Sequence, residues 1–238
     1  MKKTILALIV LITIALLGIE PAVSAKDKDE PQDLEKIEII HYKKDLERTN
    51  NGRGTKQPAC YGFLTKTKVK WPEATSYVIN PLNSHGLSLK FVETAISSAA
   101  ETWDSATGFE LLLDNYGVDE SVNYGVRDYK NAIVFGNYPT SGVIAVTSIW
   151  YSKATGRIYE FDILFDDDFS WGDATVDTAL MDLQNIATHE LGHGIGLGDI
   201  YNLTCSEVTM YGYSAEGETD KTTLETPDIK GLQTLYGI

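Results

Sequence analysis

His189-Glu190-Leu191-Gly192-His193-Gly194-Ile195-Gly196-Leu197-Gly198-Asp199 is the stretch on which the reading of this 238-residue chain turns. Two histidines four apart on a helix project to the same side, so both imidazoles can hold one metal ion. The glutamate between them is placed to take a proton from a metal-bound water. A catalytic zinc takes three protein ligands and keeps one position open. The helix must therefore stop soon after His193 and let a third ligand return. Alternating Gly194, Gly196 and Gly198 permit such a reversal, and Asp199 is the first strong ligand beyond it. The chain has four histidines, His41, His85, His189 and His193, so no later histidine can fill the third place.

Working outward, Leu87 to Thr107 has Val92, Ile96, Ala99, Ala100 and Trp103 at helical spacing, with Gly108 as its stop. A second helix is expected from about Thr178 to Gly194, carrying the histidines. A third follows Thr226-Pro227-Asp228, with the threonine as cap, a proline at the first position and an acid in the first turn. Ser76 to Asn80, Phe109 to Leu113, Ala132 to Phe135, Val143 to Tyr151 and Arg157 to Phe165 read as strands. This order predicts an α+β domain whose sheet packs against the helices.

The first residues read as an export signal. Lys2 and Lys3 precede the apolar run Ile5 to Ile19, which Glu20 and Pro21 stop, and Val23-Ser24-Ala25 offers a cleavage site. The run falls short of the ~20 residues that span a bilayer. A secreted protein with no stable membrane span after cleavage is expected; an uncleaved N-terminal anchor is the alternative. The expected organisation is a signal at 1–25, a charged lead-in, short propeptide or linker at 26–59, and a catalytic domain at 60–238. A net charge of −14 argues against nucleic acid or anionic lipid as partner. Cys60 and Cys205, the two cysteines, could pair in an oxidising compartment, or Cys60 could instead place a thiolate on the metal.

The spacing H-E-x-x-H-x-x-G-x-x-D resembles the metzincin metalloproteases, with aspartate where histidine is usual, as in the snapalysin-type branch. Val208-Thr209-Met210-Tyr211-Gly212-Tyr213 is similar to the metzincin Met-turn. Leu224 to Gly237 resembles the closing helix of matrixins, and Trp71 to Phe109 resembles their opening. The resemblance covers roughly residues 60 to 238. It implies a mixed, mostly parallel twisted sheet with one antiparallel edge strand, two long helices and a C-terminal helix.

The same resemblance implies a secreted Zn2+-dependent endopeptidase acting on protein or peptide substrates. His189, His193 and Asp199 would be the metal ligands and Glu190 the general base activating the zinc-bound water. Met210 would lie under the metal, and Tyr211 and Tyr213 would shape the substrate pocket, where matrixins carry a proline at the position of Gly212. Val143 to Trp150 would be the rail along which a peptide lies extended. Phe165 to Trp171 is similar to the matrixin calcium segment, with Phe169 replacing a glutamate ligand, which makes Asp166 and Asp168 candidates for Ca2+. The family's P-R-C-G-x-P-D latch is missing, and so are the histidines of its structural zinc. An anionic third ligand implies a more alkaline optimum than three imidazoles would give. Two rival functions are an inactive zinc-containing module that binds peptides, and a zinc hydrolase of non-peptide amides. Retention of Glu190 favours an enzyme, since a binding module has no use for a general base.

Overall fold

The computed structural model describes residues 34–46 and 59–238. The expected signal at 1–25 lies outside the described residues. No helix among the described residues is long and apolar enough to cross a membrane.

The strands are β1 (Leu34–Lys43), β2 (Gly62–Phe63), β3 (Val78–Ile79), β4 (Gly117–Val118), β5 (Ala132–Gly136), β6 (Val143–Ser152), β7 (Ile158–Asp166), β8 (Trp171–Gly172), β9 (Met181–Asp182), β10 (Leu197–Gly198) and β11 (Tyr213–Ser214). The helices are α1 (Leu89–Asp104), α2 (Leu183–Gly194) and α3 (Thr226–Tyr236). Seven strands form one mixed sheet in the order β11-β1-β6-β7-β5-β3-β4. Strands β7, β5, β3 and β4 run parallel to one another, and β6 runs antiparallel to β7. The chain thus has the expected α+β architecture.

β6 and β7 carry Val, Ile, Phe and Trp in near-continuous runs, as strands buried on both faces do. Their inner face meets α1 and α2 through Ile149, Phe161, Ile163, Ile96, Trp103 and Leu191, all shielded from water. The apolar stripe predicted on α1 is the buried one: Val92, Ile96, Ala99, Ala100 and Trp103 all face inward. The Trp103 indole N–H also donates to the Thr188 carbonyl at 2.7 Å, locking α1 to α2. Truncating such a buried indole costs about 3–5 kcal/mol.

Several boundaries move. Phe109 to Leu113 is reduced to a single parallel bridge of Leu112 with Thr75, because the Asp104 carboxylate takes the Leu111 and Leu112 amides. α2 starts at Leu183 rather than near Thr178, since Asp182 caps it by accepting from the Asn185 amide at 2.8 Å. The cap of α3 is Glu225, and Thr226 is already helical. Of the three glycines after His193, only Gly196 and not Gly194 or Gly198 has a positive φ, at 108°. A Cβ at Gly196 would lie 2.4 Å from the Val69 carbonyl oxygen.

The lead-in contributes β1, which pairs antiparallel with β6 from Leu34↔Ser152 to Tyr42↔Val143. The strand expected to be an open rail therefore has a neighbour on each side.

Candidate metal centre and active site

α2 is buried along nearly its whole length, an unusual setting for two histidines and a glutamate. His189 Nδ1 lies 2.7 Å from the Thr209 carbonyl, and His193 Nδ1 lies 2.9 Å from the Leu197 carbonyl. A carbonyl can only accept, so each Nδ1 carries a proton, and in the neutral imidazole Nε2 is then the lone pair. The two Nε2 atoms are 3.1 Å apart. Asp199 Oδ1 completes a triangle at 3.2 Å from one and 3.3 Å from the other. It has no hydrogen-bond partner, although it is buried.

With both imidazoles neutral, three lone-pair-bearing atoms converge here, an arrangement that suits a cation. A tetrahedral zinc with bonds near 2.0 Å has ligand-to-ligand edges of about 3.3 Å. The donor set thus fits the ion, and a group of three ligand atoms from His189, His193 and Asp199 is close enough to hold one. The side chain of Asp199 is fixed by the Tyr201 hydroxyl, which donates to Oδ2 at 2.8 Å. The ring of Tyr201 fits because residue 212 is glycine: a Cβ there would lie 2.4 Å from the ring and 3.1 Å from the Asp199 carboxyl carbon.

Glu190 lies beside the triangle, fully buried. One carboxylate oxygen accepts from the Thr147 hydroxyl, and the other meets His41 Nδ1 at 3.0 Å. Burial pushes the Glu190 carboxyl up to about 7, against the pull of His193 and Thr147. Burial and then Lys221 push His189 down to about 4. For His193, burial is outweighed by the Asp199 charge, and the imidazole is raised. The same pairing overcomes burial at Asp199 and holds its carboxyl well below the usual range.

Behind the site, Met210 is buried and its sulfur packs on Gly192 of α2, where a Cβ would come within 2.3 Å of it. The Asp228 carboxylate accepts from the Thr209 and Met210 amides, and Ile200 donates to the Met210 carbonyl. The turn that holds His189 is thereby laced to the segment that delivers Asp199. Tyr211 is buried, while Tyr213 is half-buried and packs edge-on against Tyr201 at 5.3 Å.

Cys60 and Cys205 form a disulfide, so Cys60 offers no thiolate to the metal. It fastens the chain ahead of β2, which pairs with β10, to the loop after Asp199. Asp166 is buried, with one carboxylate oxygen taken by the Asp168 amide. Among the described residues, neither Asp166 nor Asp168 joins a group of three ligands close enough to hold an ion.

Four contributors were not singled out by sequence: Thr147, Tyr201, Lys221 and His41. Lys221 is buried, donates to the Tyr211 and Tyr213 carbonyls, and lies 3.4 Å from His41 Nε2. Burial brings its ammonium down to about 8. Its N–H groups can only donate to His41 Nε2, so the His41 proton is on Nδ1 and points at Glu190.

The family model described as Matrixin matches residues 70–237, most of the chain. The chain belongs to the matrixin family. Relatives of this matrixin include the hatching enzyme of Paracentrotus lividus, 29% identical over 184 residues, which cover 76% of this chain and 28% of the relative. Mouse stromelysin-1 is 30% identical over 148 residues, covering 61% of this chain and 28% of the relative. Metalloendoproteinase 1 of Glycine max is 30% identical over 187 residues, 75% of this chain and 56% of the relative. The chain thus matches little more than a quarter of the first two proteins and about half of the third.

Proposed function

We propose that this matrixin is a secreted, zinc-dependent endopeptidase that cuts proteins or peptides held in an extended conformation. The observation that carries this is the bare triangle of His189 Nε2, His193 Nε2 and Asp199 Oδ1 beside a buried carboxylate. Zinc bound there would polarise a carbonyl oxygen and acidify a water molecule. Glu190 is the proton carrier: its carboxylate accepts the proton of the attacking water and returns it to the departing amine nitrogen. Thr147 holds one oxygen of that carboxylate and fixes the direction of the other. Gly192 and Met210 let the helix sit close to the turn beneath it, so the imidazoles are set by packing as well as by hydrogen bonds.

The edge of β6 that pairs with β1 would offer main-chain pairing to an extended peptide in place of β1, and such pairing has little regard to sequence. Tyr211 and Tyr213 flank the far side of that path and supply side-chain selectivity. Ca2+ at Asp166 and Asp168 is not part of this reading, because among the described residues no third His, Cys, Asp or Glu side chain lies close enough to complete a group with them.

The test is long incubation of an unstructured protein with the zinc-loaded chain, followed by mass spectrometry of the products. New peptide termini should form slowly with the wild type, whose β6 edge carries β1, and vanish with a chelator or with Glu190→Gln. Products that persist in Glu190→Gln, or cleavage of non-peptide amides alone, would overturn the reading.

A further inference from the structure

The lead-in strand lies where an extended substrate would have to lie. β1 runs antiparallel to β6 from Leu34 to Tyr42, with a register shift between His41 and Tyr42, and at its end pairs parallel with β11, with Tyr42↔Tyr213 and Lys43↔Ser214 in register. Tyr42 and Lys43 are thus threaded between the two segments that would flank a bound peptide. Side chains alternate along a strand, so Ile37, Ile39 and His41 share one face. Ile37 and Ile39 pack on the core beneath, and His41 is fully buried. His41 Nδ1 donates to Glu190 at 3.0 Å, its other nitrogen meets the Ser214 hydroxyl at 3.1 Å, and its ring centroid is 4.0 Å from that of His189. The oxygen of Glu190 that must take a proton is therefore already engaged, and the space over His189 is filled.

We infer that β1 is a built-in pseudosubstrate: it occupies the peptide path, its His41 plugs the general base, and the enzyme is latent until this strand leaves. The inference rests on the endopeptidase reading for what is being held latent, while the occupancy of the path stands on the geometry. It differs from a cysteine latch, because Cys60 is tied to Cys205 and the residue over the site is a histidine from a paired strand. Lys43 and Lys44 meet Glu216 and Glu218 at 2.8 and 2.7 Å, half-exposed pairs that set register more than affinity. Affinity comes from the ladder with β6 and from the buried face. A tethered strand competes at high effective concentration with any peptide arriving from solution.

The experiment uses the zinc-loaded full chain, a double variant Ile37→Asp/Ile39→Asp that places charges under β1, and His41→Ala. The probe is a fluorescently labelled synthetic peptide of residues 34–46, with binding read by anisotropy and peptide turnover measured alongside. The double variant should bind the probe at least about tenfold more tightly than the wild type, because the tethered competitor is gone. His41→Ala should move in the same direction by less. Hydrogen exchange should show residues 34–43 protected in the wild type and open in the double variant, with 183–194 unchanged in both. Should the double variant also loosen 183–194, His41→Ala, which keeps the apolar anchors, decides. Equal binding of the probe to all three proteins, or unprotected 34–43 amides in the wild type, overturns the inference. Tighter binding without any turnover leaves β1 as the occupant and overturns the endopeptidase reading instead.

Discussion

The hydroxyl of Tyr201 donates to Asp199 Oδ2 at 2.8 Å, which leaves Oδ1 turned toward the two imidazoles. A carboxylate has two oxygens and free rotation, so something must choose which one faces the ion. Outer partners of this kind typically contribute ten- to a hundredfold in metal affinity. Tyr201→Phe keeps the ring and removes the donor. It should weaken zinc binding by about tenfold or more, read by competition with a chelator of known affinity. Unchanged zinc affinity would mean that Asp199 is oriented by something else.

Gly212 makes that contact possible. Matrixins carry proline at this place, and here even a methyl group would meet the Tyr201 ring at 2.4 Å. Gly212→Ala should displace the ring and reproduce the zinc loss of Tyr201→Phe, and the two changes together should be no worse than either alone. Additive losses would show that residue 212 acts by a separate route.

An aspartate ligand neutralises part of the charge of the ion, whereas a third imidazole would not. In Asp199→His the rise of the rate with pH should therefore move to lower pH than in the wild type. The check is a pair of pH–rate profiles on one peptide. Superimposable profiles would remove the argument for an alkaline optimum.

Away from the site, Glu160 and Asp162 hold the 125–132 loop by accepting from the Gly125, Asp128, Tyr129 and Ala132 amides. Burial pushes both carboxyls up to about 7. A folded-state value above the unfolded one favours the protonated form on folding. The resulting contribution is present in full below the ordinary carboxylate range and lost as pH rises through about 7. Thermal unfolding midpoints should thus fall for this reason between pH 5 and pH 8, and Asp162→Asn should flatten that slope. An Asp162→Asn slope as steep as the wild type would place the titration elsewhere.

The helical spacing of His189 and His193 and the reversal at Gly196 are local, so both were legible before any coordinates. The same holds for the apolar stripe of α1. Phe109 to Leu113 reads as a strand because four of its five residues are apolar, but the Asp104 side chain takes two of its amides and leaves only the bridge of Leu112 to Thr75. Tyr201 gave no signal, since its place depends on the space above Gly212. His41 is 149 positions from Glu190, and only the pairing of β1 with β6 brings them together. Its rarity was visible in a chain with four histidines, but rarity does not say which strand edge a segment will join.

The most direct test of the central claim is zinc stoichiometry together with anomalous diffraction at the zinc edge on crystals of the full chain. One ion per chain, bonded to His189 Nε2, His193 Nε2 and Asp199 Oδ1, is the predicted result. An ion bound without Asp199, or a folded chain that takes up no zinc with Asp199 turned into solvent, would contradict it.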